Sequence, residues 1–305
     1  MSLAPRTLFV LVDGLGLGVS DPAINPIHSG VCPVLESLLE QHAVPIDAGM
    51  GMPGLPQSAT GQTALMTGLN AAQAVGRHVE GFPGPALREL VRAHNVYDQL
   101  AALGFRSTFA NAYYTTDVAE VQARKIQSVT TVAALKAFGN VRNVNDLLAG
   151  RAVYQDLTRA ALRERGYDGP LVTPEQSAAD LLGLAMDYDF TVFEYFQTDR
   201  MGHKGTPEDV RRVLALFDAF LSGIVRFGER PGCLFMMTSD HGNIEESGSR
   251  QHSTNPVPLI AIGEGADSLK SSIRGITDVT PALVALYRGG TVPLPRHEAD
   301  GRPHR

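Results

Sequence analysis

The sequence predicts an α/β fold in which a mostly parallel β-sheet lies between two layers of helices, a three-layer α/β/α sandwich. Short, continuous apolar runs recur along the chain, as is typical of strands buried on both faces of a sheet. Helix-like stretches separate these runs, and such alternation favours parallel strands. The chain has 305 residues, 44% of them hydrophobic and 19% charged. A chain of this length and composition can bury a large core.

The predicted elements follow from these runs in order. Strands are expected at residues 8–12, 105–111, 191–196, 234–237 and 259–262, and helices at 34–39, 61–66, 96–103, 174–186 and 207–227. The first run is too short to span a membrane, and no small-residue cleavage site follows it. We therefore interpret it as a buried strand and not as a targeting segment.

Residues 113–170 are more polar than the rest of the chain, with Arg and Lys interspersed in a helical pattern. We interpret them as a small helical cap over the active face; an ordinary surface insertion is the alternative. Residues 1–112 and 171–295 would then form one discontinuous core that carries the site. The polar residues 296–305 are expected to form a flexible tail.

Charge and cysteine content narrow the expected partners and compartment. The net charge of -6 disfavours nucleic-acid binding, which usually needs a basic face. Cys32 and Cys233 lie beside apolar neighbours and form no CxxC pair, so we expect buried thiols and a cytoplasmic protein. We expect a small substrate and neither a nucleic acid nor a membrane as partner; a homodimer is compatible with the sequence. An anionic substrate fits as well, because a bound metal can dominate the local charge.

Two of the segments that follow predicted strands carry residues of the kinds that bind metal ions. Asp13 follows the first strand, at the edge where ligands bind in open parallel sheets, although Asp-Gly is also a common turn. Asp199 and His203 follow the strand at 191–196 and are four residues apart, so they can converge on one ion in a turn or a helical start.

Two further segments complete the candidate ligand set. Asp240 and His241 follow the strand at 234–237, where a buried pair would be costly unless paired or metal-bound. His252 precedes a Pro-containing turn, and a hydrogen-bonded loop histidine is the alternative interpretation. Together the four segments offer three carboxylates and three imidazoles without thiolate, a combination that suits Zn or Mn. Six such ligands suffice for two neighbouring divalent ions when a further oxygen completes one of them.

Ser58 is the expected source of that oxygen. It lies between a loop and a helix that ends near Gly68, and a helix N-terminus attracts anions. Metal coordination would lower the pKa of the hydroxyl and generate a nucleophile. Helix capping by Ser58 is the alternative, and Thr60 and Thr63 are competing hydroxyls.

The combined set resembles the alkaline phosphatase superfamily, and within it the cofactor-independent phosphoglycerate mutases. The similar motifs run from Asp13 to Pro258 in family order: Asp13-Gly14, Ser58-x-x-Gly61, Asp199-x-x-x-His203, Asp240-His241-Gly242-Asn243 and His252-x-x-Asn255-Pro256-Val257-Pro258. The spacing from Ser58 to Thr67-Gly68 also matches the nucleophile helix of phosphatases and sulfatases, which favours Ser58 over Thr60.

The resemblance implies an alkaline-phosphatase-like fold and a centre with two divalent ions, Mn or Zn. It implies that one ion is held by Asp199, His203 and His252. It implies that the second is held by Asp13, Asp240, His241 and the Ser58 oxygen. Ser58 would then attack phosphorus to give a phosphoserine, and water or a second substrate hydroxyl would accept the phosphoryl group.

The sequence departs from the mutases in two places. Only the short piece Ala71–Glu89 follows the nucleophile helix, where the mutases insert a large substrate-gripping domain, and Gln62 replaces a His. We therefore expect a metal-dependent phosphatase or phosphodiesterase acting on a small phosphorylated substrate. A phosphomutase is the first alternative and a non-catalytic metal-binding protein the second. A sulfatase is disfavoured, because the Pro and Arg of the Cys/Ser-x-Pro-x-Arg motif are lacking.

Substrate contacts are the least specific part of the prediction. Arg77 and His78, in the short piece after the nucleophile helix, are the predicted substrate-binding residues. Arg124, Lys125 and Arg142 in the predicted cap are the other candidates. For each of these side chains, a solvated surface charge is the alternative interpretation.

Overall fold

A six-stranded sheet runs through the part of the chain that the computed structural model describes, residues 4–246 and 248–289. The strands are β1 (Arg6–Val12), β2 (Ala43–Ile46), β3 (Ser107–Phe109), β4 (Phe190–Tyr195), β5 (Cys233–Ser239) and β6 (Val257–Gly263). Their order across the sheet is β2-β6-β5-β1-β4-β3. Strands β1, β3, β4 and β5 are parallel, whereas β6 runs antiparallel to both of its neighbours. The predicted mostly parallel sheet is confirmed.

Helices cover both faces of this sheet. Their bounds are α1 (Pro33–His42), α2 (Ser58–Thr67), α3 (Ala71–Val75), α4 (Pro85–His94), α5 (Val96–Ala101), α6 (Val118–Gln122), α7 (Val129–Phe138), α8 (Val144–Leu148), α9 (Pro174–Asp187), α10 (Gln197–Lys204), α11 (Pro207–Ile224), α12 (Ala266–Ser272) and α13 (Val279–Gly289). All the predicted strands and helices are present, with shifted ends. The predicted tail, 296–305, lies outside the described residues.

The three layers follow from the alternation of side chains along the buried strands. In β1, Phe9 and Leu11 belong to one hydrophobic cluster, whereas Leu8, Val10 and Val12 belong to another. The first cluster includes apolar side chains of α2, α4, α5, α7 and α13, and the second includes those of α1, α9 and α11. The sheet is therefore buried on both faces, which explains why its strands are continuous apolar runs.

The direction of β6 determines which edge of the sheet the loop before it reaches. Because β6 is antiparallel to β5, its first residue lies at the same edge of the sheet as the last residues of the parallel strands. The loop before β6 therefore meets the loops that follow β1, β4 and β5. Strand β2 was not predicted; it has four residues, including Pro45, and pairs only with β6 at the sheet edge, a position that tolerates proline.

Residues 113–170 divide between two environments. Helix α7 contributes Val129, Val132 and Ala134 to the first hydrophobic cluster, the one that includes Phe9 and Leu11 of β1. A separate small cluster includes Leu147, Tyr154, Leu162 and Tyr167. The assignment of 113–170 as a cap with its own boundaries stays a prediction.

Both cysteines match the expectation of buried thiols. Cys32 and Cys233 are buried and unpaired. Within residues 4–246 and 248–289, no helix has the combined length and apolar character that crossing a bilayer requires.

Candidate metal centre

The predicted ligands meet at the edge of the sheet where β1, β4 and β5 end and β6 begins. Asp13 directly follows β1, Asp199 and His203 lie on α10 after β4, Asp240 and His241 directly follow β5, and His252 precedes β6 by five residues. Hydrogen bonds to the Asp13 carbonyl join two of these segments: the Asp199 amide donates at 3.0 Å and the Thr198 hydroxyl at 2.5 Å. Residues far apart in sequence thus occupy one small volume.

The first group of candidate ligands surrounds Asp199. The ligand atoms of Asp199, His241 and His252 all lie within 4.8 Å of one another. Asp199 Oδ1 is 3.2 Å from His252 Nε2 and 3.2 Å from His203 Nε2. The two imidazole nitrogens are 2.9 Å apart. Asp199, His203 and His252 therefore converge as one set.

The second group surrounds His241 and includes Ser58. Asp13, Asp240 and His241 also place their ligand atoms within 4.8 Å of one another. His241 Nε2 is 3.1 Å from Asp13 Oδ1, 3.7 Å from Asp240 Oδ2 and 2.9 Å from Ser58 Oγ. The His241 and His252 rings stack with centroids 3.7 Å apart. His241 thus lies between the two groups.

Ser58 is the first residue of α2, and Gln57 occupies the cap position. The capping alternative is therefore not observed, and the Ser58 hydroxyl points to His241 instead. Thr60 and Thr63, the competing hydroxyls, donate to the carbonyl oxygens of Gln57 and Ala59. Of these three hydroxyls, only that of Ser58 contacts a candidate ligand.

The donor chemistry of both groups fits divalent cations. Asp13 Oδ1 and Asp240 Oδ2 are buried without a hydrogen-bond partner, which is costly for a carboxylate oxygen unless a cation or proton accompanies it. His252 Nδ1 lies 2.8 Å from the Pro56 carbonyl and His203 Nδ1 2.9 Å from that of Arg250. A carbonyl only accepts, so each Nδ1 donates, and each Nε2 lies 3.2 Å from Asp199 Oδ1. A divalent ion would find these three donor atoms close together.

Burial and mutual repulsion perturb the acidities here. Burial and the Asp240 carboxylate raise the pKa of Asp13 to about 7. Burial raises the pKa of Asp240 to about 6, although nearby His241 opposes the shift. Burial disfavours a charged His241, yet Asp240 and Asp13 outweigh it and raise its pKa to about 10. Burial also opposes ionisation of Asp199, but the neighbouring imidazoles of His252, His241 and His203 hold its pKa below the usual range. The site favours added positive charge.

These shifts predict how the stability of the metal-free protein changes with pH. A group whose pKa is raised on folding stabilises the folded state at low pH and loses that contribution as the pH passes its folded pKa. Asp13, Asp240 and His241 all have this sign. The lowered pKa of Asp199 acts only near and below pH 4. In chelator, the midpoint of thermal unfolding should fall by several degrees from pH 5.5 to pH 8. A midpoint that rises over this range would contradict the assignment.

Amide side chains orient the carboxylates. Gln62 Nε2 donates to Asp13 Oδ2 at 3.0 Å, and Asn243 Nδ2 donates to Asp199 Oδ1 at 2.9 Å. Gln62, which distinguishes this chain from the mutases in sequence, therefore contacts a candidate ligand directly. Supports of this kind fix ligand orientation around metal ions.

Sequence reasoning missed two buried carboxylates near the centre. Glu245 accepts hydrogen bonds from the amides of Gly16 and Asn243, both at 2.8 Å, and from the side chains of Ser253 and Asn255. It thus ties the loops after β1 and β5 to the loop before β6. Nothing in the local sequence distinguishes it from its neighbour, Glu246.

The second missed carboxylate is Glu194 on β4, which is buried and faces the same cavity as Asp13. Thr130 donates to it at 2.5 Å, and burial raises its pKa to about 7. A signal was available, because Glu194 is the charged residue within the otherwise apolar run at 191–196.

Close packing of α2 against the loop after β5 requires a glycine. A Cβ added to Gly61 would lie 2.6 Å from the Asp240 carbonyl oxygen and 2.9 Å from its Cβ. The Gly61→Ala substitution should therefore push Ser58 away from the centre. We expect a loss of about 1–3 kcal/mol in the free energy of unfolding, measured in denaturant, and weaker metal binding. Gly183→Ala on α9 is the matched control.

A Cβ at Gly183 meets no atom within 4 Å. Its substitution should raise the free energy of unfolding by about 0.5–1 kcal/mol through helix propensity alone. Equal effects of the two substitutions would mean that the approach of α2 to Asp240 has no energetic importance.

Two cavities meet at the centre. The first, of about 600 Å³, extends from Ser58 and Asp199 toward the segments around Tyr113 and Tyr154. The second, of about 740 Å³, is lined by Ser58, His203 and the loop before β6. Such volumes are typical of small-molecule sites.

The cavities include some of the predicted substrate-contact residues and not others. Arg124 lines the first cavity, whereas Arg77 and His78 line neither. Arg142 instead donates to Thr108 at 2.8 Å and lies over the Tyr188 ring. Lys125 is exposed and lines neither cavity. Substrate binding by Arg77 and His78 stays a prediction.

The fold and the ligand set define a metalloenzyme of the alkaline-phosphatase-like class. A family model described as the Metalloenzyme superfamily matches residues 5–285. The chain belongs to this superfamily, so the resemblance indicated by its motifs is confirmed.

Curated relatives are similar to part of the chain. The 2,3-bisphosphoglycerate-independent phosphoglycerate mutase of Saccharophagus degradans is 31% identical over 142 residues, which cover 42% of this chain and 27% of the mutase. That of Hahella chejuensis is 32% identical over 125 residues, covering 37% and 24%. The aligned residues thus span about a quarter of the length of these mutases. Between α2 and α4 the described chain has only the short helix α3.

Solved structures resemble nearly the whole chain. The alkaline phosphatase from the Antarctic bacterium TAB5 has a TM-score of 0.58 at 13% identity, covering 94% of this chain and 99% of the phosphatase. The phosphoglycerate mutase of Leishmania mexicana has a TM-score of 0.50 at 12% identity, covering 96% and 98%. At these identities the likeness shows a shared fold.

Proposed function

We propose that the protein is a metal-dependent phosphoric ester hydrolase that acts through Ser58 at a centre for two divalent ions, Mn or Zn. The observation that carries this proposal is the position of the Ser58 hydroxyl, 2.9 Å from His241 Nε2. His241 lies between the two ligand groups, so the Ser58 hydroxyl beside it lies close to both of them. Asp199, His203 and His252 would hold one ion, and Asp13, Asp240, His241 and Ser58 the other.

The proposed reaction has two displacements at phosphorus. The Ser58 hydroxyl gives its proton to solvent water, Oγ bonds to phosphorus, and the bond from phosphorus to the ester oxygen breaks. The departing oxygen takes a proton from water. A water molecule then attacks the phosphoserine, which releases the phosphoryl group and restores the Ser58 hydroxyl. When bound, the divalent ions would lower the pKa of the attacking hydroxyl and offset the charge of the phosphoryl oxygens.

The charge of the cavity mouth supports an anionic substrate. Although the whole chain carries a net charge of -6, the first cavity is lined by four exposed cations, Arg124, Arg165, Arg200 and Lys204. Within residues 4–246 and 248–289, none of the four forms an ion pair with a carboxylate. The carboxylates of Asp13, Glu194 and Asp199 line the same cavity but are buried or half-buried, so its exposed charge is positive. Exposed positive charge raises the local concentration of an anionic substrate.

The second candidate function is a phosphomutase, because the chain is about 31% identical to part of several phosphoglycerate mutases. A mutase must hold its intermediate away from water between the two transfers. The two cavities that open onto Ser58 favour access of water and therefore hydrolysis. A non-catalytic metal-binding protein would have no use for a hydroxyl directed at the centre.

The decisive experiment is a screen of phosphate monoesters and diesters with the full chain supplied with Mn²⁺ or Zn²⁺. We expect release of inorganic phosphate or alcohol, which chelation abolishes and fresh metal restores. Isomerisation of phosphoglycerate without release of phosphate would favour the mutase instead. Metal-loaded protein that converts none of these compounds would refute both enzymatic functions.

A further inference from the structure

The first cavity becomes aromatic away from the metal centre. Beyond Ser58 its lining includes, beside polar side chains, six aromatic ones: Phe82, Phe109, Tyr113, Tyr114, Tyr154 and Phe196. Phosphoryl transfer itself does not require such a surface. The part of the substrate that this wall contacts is therefore the group attached to the phosphoryl oxygen.

Two large apolar side chains at this cavity are exposed. Phe82 is 57% exposed and Ile126 63% exposed. They come from separate segments, Phe82 from the loop before α4 and Ile126 from the loop between α6 and α7. One exposed apolar residue needs no explanation. Two that border one cavity with an aromatic wall form the kind of apolar patch that a ligand covers.

The wall distinguishes between classes of alcohol. A short polyol or a hydroxy acid would find partners only among the polar side chains that also line the cavity, such as Arg124 and Gln155, and would leave the aromatic rings uncovered. A flat ring system gains free energy from burial and from edge-to-face or offset contacts. Tyr114 already makes an edge-to-face contact with Tyr167, with centroids 6.1 Å apart, so its ring is held in place.

We propose that this cavity binds the alcohol portion of the substrate and that this portion is a flat aromatic or heteroaromatic ring system. This inference rests on the proposed function, because the ester bond to the phosphoryl group at Ser58 is what brings the ring into the cavity. Phe82 and Ile126 cover the ring at the mouth. Hydrolysis proceeds as described above, with the oxygen of the ring alcohol as leaving group.

The test compares phenyl phosphate with 2-naphthyl phosphate, whose alcohols have similar acidity but different flat area. With the metal-loaded full chain, kcat/KM should be on the order of fivefold to tenfold higher for the naphthyl ester, from burial of the second ring. Phe82→Ser and Ile126→Ser should each move this ratio toward one, and their exposure makes misfolding no concern. Leu171→Ser is the control, because Leu171 is 50% exposed and lines neither cavity.

Two outcomes would overturn the inference while leaving the proposed function intact. One is equal kcat/KM for the two esters. The other is a naphthyl preference that both serine variants retain. A binding measurement separates the inference from catalysis: calorimetry of the two esters with metal-loaded Ser58→Ala. If neither ester is hydrolysed, the proposed function fails. Tighter naphthyl binding that Phe82→Ser removes would still support the aromatic site, and equal binding would refute it.

Discussion

Ser58→Ala should reduce phosphoester hydrolysis by about 10³-fold or more. The substitution removes one atom, Oγ, which lies 2.9 Å from His241 Nε2 and close to both ligand groups. It leaves the helix intact, because Ser58 makes no capping hydrogen bond at the start of α2. The expected result is therefore a loss of turnover with little change in thermal stability. Steady-state kinetics of the metal-loaded protein measure it.

Thr60→Val provides the matched control for this loss. It removes a hydroxyl two residues away on the same helix, and that hydroxyl bonds to the Gln57 carbonyl. It should cost about 1 kcal/mol of stability and leave the nucleophile in place. Turnover that survives Ser58→Ala, or that Thr60→Val abolishes to the same extent, would exclude Ser58 as the attacking group.

Removal of metal should have the second large effect, and it should reverse the order of stability of the wild type and the Asp240→Asn variant. At pH 8 the metal-free protein must hold a fully buried Asp240 carboxylate whose pKa burial raises to about 6. The Asn variant lacks this charge, so in chelator it should unfold at a higher temperature than the wild type. With metal at 1,000 times its dissociation constant, the wild type should gain about 4 kcal/mol and become the more stable protein.

The reversal is measured by thermal unfolding of the wild type and the Asp240→Asn variant, each with chelator and with excess Mn²⁺ or Zn²⁺. Asp168→Asn is the control, because Asp168 is exposed and belongs to none of the candidate ligand groups. Its metal response should equal that of the wild type. A metal-induced shift of the same size in the Asp240→Asn variant would show that Asp240 is no ligand.

Much of this centre was predictable because its residues follow the strands. Asp13 and the Asp240–His241 pair come directly after runs whose apolar character already predicted buried strands. The carboxyl ends of parallel strands meet at one edge, so the convergence of these side chains follows from the fold class.

What could not be predicted depends on contacts between distant segments. Strand β2 was missed because four residues with an internal Pro45 carry too little pattern. The reversed direction of β6 has no local signal, because an apolar run does not specify which way its strand points. Glu245 is buried only through the loops that close around it, and the contact of Gln62 with Asp13 requires α2 to be in place.

The antiparallel course of β6 also has a consequence for how the protein acquires its ions. His252 reaches the centre only when the chain just beyond it has added β6 beside β5. The candidate ligands therefore assemble from four segments between residues 13 and 252, and the segment with His252 is synthesised after the other three. A chain on the ribosome that lacks this last segment would have no high-affinity site. Binding of the metal ions should therefore follow the folding of all four segments.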